Sequence, residues 1–366
     1  MAGYSEQKLL AVNGGDGDYS YSRNSLYQRQ AINVVKDKIN EGIMEKFDVQ
    51  KLSSSSNTIR IADMGCATGP NTFMAMQNLV DVLKQKYKSQ LSPTDDNPQC
   101  MEPEFQVFFN DCASNDFNTL FTSLPHEKPY FAAGVPGSFH GQLFPESSLH
   151  LAYSSIALHW LSEVPKELAD PSSKAWNRGR VHYTSAPSEV VEAYRAQFTE
   201  DLGRFLDARA KELVSGGMVV VIMPGIPEGM PHHRLPAGIM ADLMASSFLD
   251  MVKDELITEH QVDSFNLPLY TPSPEEMTEL INQNGSFEIE IIELINPSPL
   301  KNGPINIPKW VKHVRAAMEG MLTPHFGTGI IDEFFSRLIQ KLLDASEELE
   351  SSHRDKIQLF VVLKRK

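Results

Sequence analysis

The stretch from Thr58 to Gly69 (TIRIADMGCATG) limits the fold more than any other part of the chain. Residues 58–64 alternate well enough to predict a strand. Gly65 to Pro70 form a glycine-containing turn. From Asn71 to about Tyr87 the apolar residues Phe73, Met76, Leu79, Val80 and Leu83 recur with helical spacing. Strand, glycine turn and helix in this order open a nucleotide-type α/β unit.

The rest of the chain continues the pattern. Further strands are expected at 105–109, near 130–134, at 149–152, 218–223, 286–294 and 357–363, giving seven. Helices are expected at about 29–48, 187–214, 236–252, 273–283, 308–322 and 328–347. Gly216-Gly217 read as the stop of the 187–214 helix. Ser-rich 53–56 and Pro-rich 91–103 read as loops. The fold class is therefore α/β, a doubly wound, Rossmann-like seven-stranded sheet. Three connections, 165–180, 225–284 and 297–345, are long and predict a mainly helical cap over the carboxyl ends of the strands. The expected division is an arm at 1–30, a sheet domain at 31–224 with 285–296 and 355–366, and a cap at 225–284 and 297–354.

Composition narrows the partners. A net charge of −14 would repel a polyanion, so nucleic acid is not expected. No run of about 18 apolar residues is present to span a membrane. The beginning of the chain lacks a basic segment followed by an apolar one, so a secretory leader is not expected. Cys66, Cys100 and Cys112 are far apart and lack CxxC spacing, which disfavours a disulfide framework or a zinc site. A reducing, cytoplasmic setting fits best.

Chemistry concentrates at strand ends. The turn offers G-x-x-x-G, neither the dinucleotide G-x-G-x-x-G nor a phosphate loop with Gly-Lys-Ser/Thr. An acid-led glycine loop at Asp63 suits an amine-bearing nucleoside; a plain tight strand–helix turn is the competing reading. Asp111 ends the second strand, where it can hold ribose hydroxyls or cap a helix. Ser138 and Phe139 end the third, where they suit adenine, or serve as a turn serine and a core aromatic. Ser138 is discounted as a hydrolase nucleophile, because Pro136 stands where G-x-S-x-G needs glycine.

Several segments together carry a resemblance: SYSRNS at 20–25, DMGCATGPNT at 63–72, FND at 109–111, NDFN at 115–118, GVPGSFHGQLF at 134–144, HWLS at 159–162, NRG at 177–179 and DSFNLP at 263–268. From about residue 13 to its end the chain resembles the plant SABATH methyltransferases, with a flavour of the loganate-type branch. The resemblance implies the seven-stranded methyltransferase sheet. It implies S-adenosyl-L-methionine (SAM) as methyl donor and S-adenosyl-L-homocysteine (SAH) as product. The site it implies consists of Tyr21, Ser25, Asp63, Asn71, Asp111, Ser138 and Phe139, with Gly65, Cys66, Cys112 and Ser155 beside them. Cys112 departs from the leucine usual there, a mild change at a position of backbone and apolar contact.

The same resemblance assigns the substrate carboxylate to the Gln28 amide and the Trp160 indole, with His159 adjoining them. Met240, Ala241, Tyr270, Val314 and Ala317 are the expected pocket walls. Ile156 and Ala241 replace larger groups common in relatives, which predicts a roomier, more apolar pocket than a salicylate enzyme has. Asn177, Asp263, Phe265 through its carbonyl and Asn266 match an Mg²⁺ site reported in some members; a hydrogen-bonded loop clamp is the alternative. A homodimer is expected from the family. The expected function is methyl ester formation on a plant small-molecule carboxylic acid. The alternatives are N-methylation of a xanthine, which His159 favours and Ile156 disfavours, and a hormone-binding protein without turnover.

Overall fold

Three layers meet at the sheet in the computed structural model, which describes residues 11–53, 57–91, 102–296, 305–352 and 357–366. The expected loop positions 54–56 and 92–101, Cys100 included, lie outside the described residues. In chain order the elements begin with α1 (Tyr21–Asn24), α2 (Leu26–Lys46), α3 (Val49–Ser53), β1 (Thr58–Met64), α4 (Pro70–Gln90) and β2 (Glu104–Asp111). They continue with α5 (Phe117–Thr122), β3 (Phe131–Pro136), β4 (Leu149–Ser155), α6 (Ser188–Glu212) and β5 (Leu213–Pro224). The remainder is α7 (Pro236–Lys253), α8 (Glu259–Asp263), α9 (Pro274–Asn284), β6 (Phe287–Ile295), α10 (Ile307–Phe326), α11 (Ile331–Asp344), α12 (Ser346–Ser352) and β7 (Gln358–Arg365).

The seven strands run in the order β3-β2-β1-β4-β5-β7-β6. β1 to β5 are parallel, and β7 lies antiparallel between β5 and β6. Parallel neighbours need crossovers, which the long helices α4 and α6 supply. The central strands are apolar on both faces because helices cover both: Met218 to Met223 are all buried. The order reverses between β1 and β4, so a crevice opens at their carboxyl ends, beside Met64 and Ser155.

One sequence expectation changes here. Gly216-Gly217 do not stop the helix. It ends at Glu212 and β5 starts at once at Leu213. The pair instead sits in a register irregularity, where Leu149 faces Leu213 but Leu151 faces Met218. Gly216 has φ +81°, which an inserted bulge demands and glycine adopts without strain.

Three apolar cores result. α2 and α4 cover one face of the sheet, and α6 and α9 the other. The third core belongs to the cap: α7, α8, α10 and α11 pack around Phe248, which stacks on Phe326 and Phe334 at 4.3 and 4.2 Å. A lobe with its own core can hold a rigid roof over the crevice.

Candidate active site

The turn after β1 is fixed from all sides. Gly65 and Cys66 donate their backbone N–H groups to the Asn110 carbonyl, both at 2.9 Å. Ala67 N–H donates to Asp111 Oδ2 at 2.8 Å, and Asn115 Nδ2 donates to the Ala67 carbonyl at 3.0 Å. Gly65 has φ +84°, and a Cβ there would lie 2.3 Å from the Ala157 Cβ. Only glycine therefore lets β1 turn while the loop after β4 closes against it.

A cavity of about 410 Å³ opens above this turn, between the sheet and the cap. Of the sequence-predicted cofactor residues, Tyr21, Gly65, Asp111, Cys112, Ser138 and Phe139 line it. Ser25, Asp63, Cys66, Asn71 and Ser155 stand behind the wall. Asn71 Nδ2 donates to the Ser25 carbonyl and hydroxyl at 2.8 and 2.9 Å, and Arg29 Nε donates to Asn71 Oδ1 at 3.0 Å. These contacts pin the N-terminal arm to the start of α4. The Ser155 hydroxyl is buried without a partner.

The electrostatics of this half are unusual. Burial pushes the Asp63 carboxyl up to about 7; the Thr72 hydroxyl that donates to it pulls the other way, and Asp111 adds to the rise. Asp111 is also raised by burial, against the backbone N–H groups of Ala67 and Cys112. The Tyr21 phenol is raised by burial and then by both acids. Among the described residues no lysine or arginine takes part at either acid, and none lines the cavity. Two buried like charges without a counter-ion make a site that a cationic ligand would relieve. SAM, with its ammonium and sulfonium groups, has that chemistry, so the residues present fit it.

The other half is apolar with a neutral polar rim. Gln28, Ile156, His159, Trp160, Met240, Ala241, Val314 and Ala317 all line the cavity. Gln28 Oε1 and His159 Nδ1 are buried without partners. Burial pulls the His159 imidazole down to about 3, so it is neutral near pH 7. Ile156 sits at φ +52°, a region β-branched residues avoid, held there by its N–H to the Ile222 carbonyl at 2.7 Å.

Residues 7–366 match the family model for SAM-dependent carboxyl methyltransferases. The chain belongs to this family. It is 45% identical over 358 residues to loganic acid O-methyltransferase of Catharanthus roseus, covering 97% of this chain and 94% of that protein. Farnesoic acid carboxyl-O-methyltransferase of Arabidopsis thaliana is 37% identical over 352 residues, covering 96% and 97%. The solved structure of loganic acid methyltransferase with SAH superposes with a TM-score of 0.92 at 44% identity, covering 97% and 98% of the two chains. The protein is thus a SAM-dependent carboxyl O-methyltransferase with the α/β sheet of that structure.

In this methyltransferase Tyr270 is not a wall. Leu269 and Thr271 line the cavity, and alternation along the extended segment turns Tyr270 away from it. Its hydroxyl donates to Glu276 at 2.9 Å and its ring packs on Phe198 at 4.9 Å. Sequence reasoning missed Trp310, His313 and Met318, which line the same wall as Val314 and Ala317. Spacing of three and four along α10 would have found them.

Asn177, Asp263 and Asn266 come together as a clamp. Asn177 Nδ2 donates to Asn266 Oδ1 at 2.7 Å, and Gly179 N–H donates to Asp263 Oδ1 at 2.8 Å. Asn177 Oδ1 is buried and unpartnered. Among the described residues no group of three or more His, Cys, Asp or Glu is placed to hold a metal, but an all-oxygen set with one orphaned oxygen fits a hard cation. No helix among the described residues is long and apolar enough to cross a membrane.

Proposed function

We propose that Gln28 and Trp160 hold the carboxylate of an acid whose body is larger and more apolar than a hydroxybenzoate. The observation that carries this reading is the cavity lining. It runs from Asp111 at the SAM end to Met240, Ala241, Val314 and Ala317, with no lysine or arginine on it among the described residues. A carboxylate there must be gripped by neutral donors. An amide N–H and an indole N–H fix it without quenching its charge as an arginine would.

When bound, SAM supplies an electrophilic methyl group whose sulfur leaves with the bonding pair, giving SAH. The chain needs no general base for this, since a carboxylate with a reference pKa near 4 is already ionised at neutral pH. Its task is alignment and exclusion of water. Gln28 on α2 and Trp160 after β4 would hold the attacking oxygen at about 3–3.5 Å from the methyl carbon. Neutral His159 adjoins Trp160, ring centroids 5.8 Å apart, and acts on substrate shape. The cap core keeps the roof closed over the reacting atoms.

Loganic and farnesoic acids, named in the relatives, head the panel of acids to test with labelled SAM, beside salicylate and xanthines. Bulky acids should give methyl esters. Salicylate turned over far faster than the bulky acids would refute the pocket reading, and N-methylxanthine as the main product would favour the alternative. An Mg²⁺ ion at Asn177, Asp263, the Phe265 carbonyl and Asn266 would tie the 177–179 loop to the segment after α8; its support is the orphaned Asn177 oxygen. Added Mg²⁺ should then raise the melting temperature. A cytoplasmic homodimer completes the proposal. Free Cys66 and Cys112 suit a reducing compartment, and sedimentation velocity tests the dimer.

A further inference from the structure

We propose that His313, on cap helix α10, is the positioning residue of the carboxylate grip. It sits on the cavity wall facing Gln28, which comes from α2. Its Nδ1 lies 3.2 Å from the Asn24 carbonyl, and a carbonyl can only accept. The proton is therefore on Nδ1, and Nε2 presents a lone pair. Gln28 Nε2 lies 3.2 Å from that Nε2 and 3.4 Å from Nδ1, a near-equal spacing that sets the amide over the face of the neutral ring and commits one of its two N–H groups to it. Burial also draws the imidazole down to about 4, which keeps it in this neutral, accepting form.

This chain of bonds decides which way the Gln28 amide faces. With one N–H committed to His313, the second N–H is held in a fixed direction. Without His313 the amide could rotate and present Oε1, which has no partner of its own, to an incoming carboxylate. That would be repulsive. The bond also links two parts of the fold. Asn24 and Gln28 belong to the arm and α2, while His313 belongs to the cap. The arm is seated on the same helix by the Asn13 N–H to the Ala316 carbonyl at 2.9 Å. The grip is complete only when arm and cap are docked together.

The inference rests on Gln28 holding the carboxylate, so its test is a double-mutant cycle that separates the two. His313→Leu should lower kcat about tenfold, the usual consequence of losing one buried hydrogen-bond partner, with the Kd for SAH unchanged. His313→Gln, whose side-chain oxygen can accept the same hydrogen, should recover most of that loss. In a Gln28→Ala background, His313→Leu should change kcat less than about twofold, because the group it orients is gone. Additive losses, or no loss in the wild-type background, would overturn the positioning role. If Gln28→Ala itself leaves turnover intact, the carboxylate assignment fails first and independently. Melting curves identify a variant that merely loosens the cap: it would lower the melting temperature and would not be rescued by glutamine.

Discussion

Replacing Asp63 with asparagine should make the ligand-free enzyme more stable at alkaline pH and much weaker at binding its cofactor. Burial raises this carboxyl from 3.8 to about 7. A group raised on folding stabilises the fold fully when protonated, below its unfolded pKa near 4, and loses that contribution as pH climbs through about 7. The rise corresponds to on the order of 4 kcal/mol once the carboxyl is fully ionised. Wild-type protein without ligand should therefore melt at a higher temperature near pH 5.5 than near pH 8.5 through this group. Asp63→Asn keeps an oxygen for the Thr72 hydroxyl but cannot ionise, so the difference between the two proteins should grow with pH in favour of the variant. Cofactor binding should run the other way. An ammonium-bearing ligand prefers the ionised acid, so SAH affinity in the wild type should fall about tenfold per pH unit below about 7. The variant should bind roughly 10- to 100-fold more weakly above that point and lose the dependence. Calorimetric titration with SAH and melting curves across that range measure both. Identical pH dependence in the two proteins, or unchanged SAH affinity, would refute the idea that Asp63 is an uncompensated acid awaiting a cation.

Three further expectations follow from the same geometry. Gln28→Ala and Trp160→Ala should each lower kcat for the acid by about 10-fold or more while the Kd for SAH holds within about threefold; equal loss of SAH binding would sink the assigned roles. With cofactor and acid saturating, kcat should stay flat from about pH 6 to 9, because burial holds His159, His182 and His313 at about 3, 4 and 4, so none of these cavity-wall histidines titrates there; a limb near 7 in kcat would mean an essential base. Arg209→Met should destabilise the fold by about 3–5 kcal/mol and weaken SAH binding, since it strands Glu212 in the interior. The Arg209 side chain is fully buried against Glu212 at 2.7 Å and donates to the carbonyls of Phe139 and Gly141 at 2.9 and 3.0 Å. A variant with wild-type stability would show that the pair does not shape this loop.

The sequence made most of the fold legible because its signals were local. Alternation in β1 and helical spacing in α4 lie within single elements, and each is copied directly into the structure. The Gly216-Gly217 pair misled because glycine marks positive φ, not helix ends as such, and a bulge demands the same backbone. Tyr270 misled for a different reason. Whether a residue in a short extended segment faces cavity or core is a parity, and one position decides it.

The site divides along the same line. Asp111, at the end of β2, and Phe139, in the loop after β3, line the cavity where local sequence signals place them. Residues that act through others could not be read that way. Asn71 bonds to Ser25 and Arg29 and so seats the arm on the start of α4. His313 is 285 positions from Gln28, and nothing in either segment announces the other. Such pairs exist only after the arm has folded back over the sheet and the cap has closed from the opposite side. This separation has a consequence for the enzyme. Asp63 and Asp111 end β1 and β2 and are in place whenever the sheet is folded, while the proposed carboxylate grip draws on Gln28 of α2, Trp160 after β4 and, through His313, the cap. Changes in the cap should therefore alter substrate use while leaving cofactor binding nearly untouched, and changes at β1 and β2 should do the reverse.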